Sequence, residues 1–198
     1  MMWFLAQPMI PVLLLLISVI LFRIAPSFGG ADAVSAMAGW SPLMALALCS
    51  GAFFPRRCAF SVGVAAVVVP QIVINLVQGF PVWDANLVLM LAVVAMVACV
   101  GLFLGEKTPL AVFLGASVVA TVLFHVVSNT LSFLIVEGYG PGLGGWLQAQ
   151  TTGLPQYTPQ TWVFSVKQLI GDLLFTFIFV TACRPLSSST PTIVPAET

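Results

Sequence analysis

Charge is what this sequence has least of. Only 6% of its 198 residues are Asp, Glu, Lys or Arg, and the two signs balance at six each, where soluble chains carry about a quarter charged residues. That scarcity excludes a basic nucleic-acid surface and an acidic tail for a basic partner. There is a single histidine, too few for a multi-histidine metal centre. None of the four cysteines forms a Cys-x-x-Cys pair, so neither a zinc site nor a redox motif is expected. Gly-x-Ser-x-Gly, His-Glu-x-x-His and the Gly-rich phosphate loop ending in Lys are all missing. The chain is therefore expected not to be an enzyme, to use no metal or cofactor and to hydrolyse no ATP itself. No internal repeat is visible, which argues against an independent secondary transporter.

What the sequence has in abundance is apolar residues, 60% of the total. They fall into six stretches, at about 8–22, 40–54, 58–78, 86–104, 109–136 and 161–182, most near or above the roughly 17 to 25 residues that cross hydrocarbon. The expected fold is an all-α membrane protein: one six-helix transmembrane domain over 1–184, followed by a Ser/Thr/Pro-rich tail, 185–198, read as disordered and cytoplasmic. The first stretch reads as a span rather than a signal peptide, because no cation precedes it and the small-residue site at Ala31 and Ala33 lies beyond Arg23. Ser41 and Pro42 supply a cap and a first-turn proline for the second. Gly79 followed by Pro81 stops the third.

Cations near span ends stay on the cytoplasmic side. Arg56, Arg57, Lys107 and Arg184 agree on one side, while Asp32, Asp84 and Glu137 fall on the other; Arg23 alone runs against the pattern. Both termini are then cytoplasmic, with the chain in the cell membrane. Trp40, Trp83, Trp146 and Trp162 lie at the outer interface and Trp3 at the inner. Cys49, Cys58, Cys99 and Cys183 fall at cytoplasmic span ends and read as reduced packing residues.

Polar residues inside spans are costly, so their placement is informative. Gln71, Asn75 and Gln78 share one face of the third span, and His125, Ser128, Asn129 and Ser132 one face of the fifth. The sixth carries Lys167, Gln168 and Asp172. At 1.5 Å per residue, Asn75 and Asn129 lie roughly 6 to 12 Å below the outer span ends. Gln71, Asn75, His125, Asn129, Gln168 and Asp172 are thus expected to line a pocket open to the outside, with Trp146 or Tyr139 covering it from the glycine-rich connection 137–160. Gln148, Gln150 and Tyr157 are further contacts from that connection, and a half-helix around Leu143 to Ala149 is its alternative reading. For each stripe the competing reading is interhelical hydrogen bonding without a ligand.

The run WSPLMALALCSGAFFPRR, Trp40 to Arg57, resembles the "SPVGALALFAGAYF" segment of a family of uncharacterised bacterial integral membrane proteins. INLVQGF from Ile74, SNTLSF from Ser128 and GDLLFT from Gly171 are similar to its later "SDLxLGF", "TN" and "GDL" motifs, with Asn75 at the acidic position of "SDLxLGF". The layout also resembles the S components of energy-coupling factor transporters. That resemblance implies a substrate-binding subunit for uptake of a small, uncharged or amphipathic molecule, docked on a transmembrane coupling subunit with ATPases. The Ala-x-x-x-Ala patch such components carry on the first span is absent, and Ala47 with Gly51 is the nearest small-residue pair. The alternative expected function is a structural or assembly protein without ligand; an intramembrane enzyme ranks last.

Overall fold

The structure, a computed structural model, describes residues 9–28, 39–79, 81, 83, 85–105, 107–156 and 160–187. Expectations resting on Trp3, Ala31, Asp32, Ala33, Asp84, Tyr157, the side chain of Gln78 and the tail from 188 onward lie outside the described residues.

Helices run through all six apolar stretches: α1 (Met9–Ile24), α2 (Leu43–Phe53), α3 (Arg56–Gln78), α4 (Ala85–Phe103), α5 (Leu110–Ile135) and α7 (Thr161–Ser187). A further helix, α6 (Gly142–Gln150), lies in the long connection where the half-helix was the alternative reading. Prolines begin several of them, Pro55 before α3, Pro109 before α5 and Pro141 before α6, where the missing amide costs nothing. Gly79, at φ 73°, ends α3 in the left-handed conformation and donates its amide to the Asn75 carbonyl. Pro185 does not end the last helix, which continues to Ser187.

Among the described residues four helices, over Cys58–Val77, Ala85–Phe103, Leu110–Ile135 and Thr161–Arg184, are long and apolar enough to cross a membrane. Much of their outer surface is aliphatic or aromatic, with Leu76, Val88, Val119, Leu134 and Phe177 exposed. Such a surface is a liability in water and ordinary against lipid. The chain is a membrane-embedded helical protein.

The second stretch forms an element of another kind. α2 has 11 residues, about 16 Å of helix, roughly half the hydrocarbon thickness. Every residue from Leu43 to Gly51 is buried. It packs chiefly on α4, α3 and α7, so the most enclosed helix of the bundle is also its shortest apolar one. The approach to α4 is close because both helices present glycine: a Cβ on Gly51 would run into the Ala98 carbonyl and lie 2.9 Å from the Gly101 Cα. Ala47 and Gly51 are therefore consumed inside the bundle and offer no external docking patch. At the C-terminal end of α2, Phe53 stacks on Phe113 of α5 at 5.6 Å and meets Phe179 of α7 edge-on at 5.7 Å. At the same end, Arg184 donates to the Thr108 carbonyl.

Candidate functional site

Among the described residues the intramembrane polar side chains gather in three clusters rather than around one pocket. The innermost surrounds Asp172 of α7, which is fully buried. Its Oδ1 accepts from the Ala45 amide at 3.0 Å and its Oδ2 from the Thr121 hydroxyl at 2.8 Å. The Met44 amide and the Gln168 side chain also bond to it. Met44 and Ala45 are the first free amides of α2, so a carboxylate from another helix caps this short one, satisfying orphan donors at the positive end of its dipole. The cap predicted locally from Ser41 is not made: α2 has no side-chain cap of its own, and the Ser41 hydroxyl is enclosed without a partner. A turn further along α7, Thr176 donates to Ser117 of α5 at 3.2 Å. His125 bonds instead to the Gln150 carbonyl, and the Cβ of Lys167 packs beside Gly39 together with the Phe164 backbone.

The second cluster lies toward the α6 end, between α5 and α7. His125 Nε2 is 3.0 Å from the Gln150 carbonyl of α6. A carbonyl only accepts, so Nε2 carries the proton and Nδ1 presents a lone pair. Ser165 of α7 hydrogen-bonds to that Nδ1, and Asn129 Nδ2 is 3.0 Å from it while also donating to the His125 carbonyl at 2.8 Å. α6 is fastened over this region by Trp146 Nε1 to Thr130 at 2.9 Å and by Gln150 Nε2 to the Val126 carbonyl and Thr130. Gly153, at φ 72°, allows the turn after α6, and its amide bonds back to the Gln148 carbonyl at 2.8 Å. Beside His125 a groove of about 130 Å³ runs between α5 and α7, lined by Thr121, Val122, His125, Ser165, Val166 and Leu169.

The third cluster joins α1, α3 and α4. Gln71 donates to Asn75 at 2.9 Å, and Asn75 to the Pro81 carbonyl at 2.6 Å. Arg23 reaches Gln71 Oε1 at 3.4 Å.

Of the residues expected to share one pocket, His125 lines the groove and Asn129 buttresses its ring. Gln168 and Asp172 are turned to α2, and Gln71 and Asn75 bond to each other away from the groove. Trp146 is tied to Thr130, and Tyr139 lies 6.3 Å from the Phe133 ring, so neither borders the groove. Two residues that matter were not singled out from sequence. Thr121 precedes His125 by one helical turn, and Ser165 sits three and seven residues before Gln168 and Asp172; both extend stripes already visible. No three His, Cys, Asp or Glu side chains meet among the described residues.

Residues 4–193 match the family described as "Family of unknown function (DUF6580)". The chain belongs to this family. No curated protein and no solved structure matches it.

Proposed function

We propose that this member of the family is a substrate-binding membrane subunit for uptake of a small molecule, held in the outer half of the bilayer between α5 and α7. The observation that carries the reading is the groove beside His125. It is walled by Val122, Val166 and Leu169 and by the apolar faces of Thr121, His125 and Ser165, whose polar atoms are engaged within the chain, and it is overlaid by a helix whose carbonyl fixes the histidine tautomer. Concave, predominantly apolar walls are the main component of small-molecule sites, and these suit the apolar part of a ligand. A cavity of about 150 Å³ accommodates benzene, so the groove as it stands suits a molecule, or the apolar part of one, of that size.

Binding rather than chemistry is the better reading of Ser165 and His125. Ser165 also bonds to the Thr161 carbonyl of its own helix at 2.9 Å, and it lies inside α7, where backbone amides are engaged and none is free to hold an oxyanion. Energy for uptake then comes from a transmembrane coupling subunit with ATPases. The six-span topology with both termini inside, in a bacterial inner membrane, remains the arrangement that the loop charges support. α1 and the buried α2 would make up the first two crossings with the chain between them.

A structural or assembly role is the second reading, favoured by the Asp172 cluster, where each carboxylate oxygen is already bonded within the chain. Purification from gently solubilised membranes, with mass spectrometry of retained metabolites and proteins, separates the two. Uptake predicts a small molecule that is lost in His125→Ala, together with coupling and ATPase subunits. Folded protein that retains neither supports the structural role.

A further inference from the structure

Arg23 is out of place twice. In the sequence it is the cation that runs against the charge asymmetry of the loops. In the structure it is drawn inward: a helical side chain leans toward its helix N-terminus, and Nη2 reaches Gln71, which lies about 10 Å of helix rise before the end of α3. The guanidinium is thus held within the bundle instead of extending to the headgroups.

Its partners among the described residues do not neutralise it. Nη2 lies 3.4 Å from Gln71 Oε1 and 3.5 Å from Met90 Sδ, both uncharged acceptors at the long limit of a hydrogen bond. Nε is enclosed and has no partner. No carboxylate pairs with Arg23 among the described residues, and a guanidinium has five donors to satisfy. The Gln71 amide is oriented by Asn75, and Asn75 by the Pro81 carbonyl. This chain of bonds fixes where the cation sits, and among the described residues no carboxylate balances its charge, an arrangement that a low-dielectric site tolerates poorly unless an anion completes it.

We infer that Arg23 is an oxyanion-recognition site between α1, α3 and α4, taking the carboxylate or phosphate of an amphipathic molecule. The planar fork of an arginine matches either group through two parallel hydrogen bonds. The same chemistry is presented by an anionic lipid headgroup and by an amphipathic solute. The site stands on Arg23 and its neighbours alone and is independent of the groove beside His125.

The test uses the full chain in phosphatidylcholine nanodiscs, titrated with octanoate, with octanol as the neutral control, and in a second series doped with phosphatidylglycerol. Bound mass is read by native mass spectrometry, and unfolding temperature in the same samples. The wild type is expected to bind octanoate or phosphatidylglycerol in preference to octanol. Arg23→Gln should bind that anion at least about tenfold more weakly. Arg23→Lys should lie between them, because it keeps the charge and loses the fork; if Arg23→Gln does not fold, this variant decides. Binding of phosphatidylglycerol alone assigns a lipid site, and binding of octanoate a solute site. Binding of neither anion, octanol binding as well as octanoate, or anion binding that is unchanged in the variants overturns the assignment.

Discussion

Two polar clusters share the helix pair α5 and α7, little more than a turn apart, and they are built in opposite ways. Around Asp172 each carboxylate oxygen has a donor, supplied by α2, α5 and α7. Around His125 the bonds orient a ring whose surroundings are left unfilled, with a groove opening between Val122 and Val166, which are 51% and 46% exposed. A buried carboxylate whose valences are used up defines structure, because its removal strands several donors at once. An oriented histidine beside unfilled space is a binding element. Polar residues on one face of one helix thus divide by what the neighbouring helices bring to them.

The largest effect is expected where the closed cluster is broken. Asp172→Ala strands the amides of Met44 and Ala45 and the Gln168 side chain, while the Thr121 hydroxyl retains the Ser117 carbonyl at 3.0 Å, and each unsatisfied buried donor costs about 1 to 3 kcal/mol. A loss of about 3 kcal/mol or more is expected in reversible unfolding in mixed micelles, with α2 protected less in hydrogen exchange. Unchanged exchange in α2 would remove Asp172 from its capping role. Next comes the packing that seats α2. Gly51→Ala places a methyl group against the Ala98 carbonyl, and overpacking of this kind costs about 1 to 3 kcal/mol. The same unfolding assay should register it, with ligand retention kept wherever the protein folds.

How much of this was legible in the sequence follows the same division. The apolar stretches, the proline starts, the Gly79 stop and the helix carrying Trp146 are local signals, and the structure has helices at each. The stripes on α5 and α7 were visible too, since offsets of three, four and seven place residues on one face without further information. Which stripe meets which partner was not legible. Asp172 reads as an isolated intramembrane acid until the start of α2 is brought to it, 127 residues away in the chain. The approach of Gly51 to Gly101 is equally a product of the tertiary fold. Ser41 shows the limit of local rules: the residue type is right for a cap, and a carboxylate from a distant helix takes the position instead.

The smallest effect on stability and the clearest on binding are expected together in Ser165→Ala. That change removes the hydroxyl that holds the His125 ring beside the groove and leaves the carboxylate network intact. Stability should stay within about 1 kcal/mol of wild type, the worth of one exposed-side hydrogen bond. The measurement that bears most directly on the division between a closed and an open cluster is therefore the small molecule retained per folded chain by Ser165→Ala, with the unfolding midpoint read on the same sample. The account predicts clearly reduced retention at a nearly unchanged midpoint. Full retention with a midpoint lowered as far as in Asp172→Ala would contradict it, because the His125 cluster would then be a second piece of scaffold.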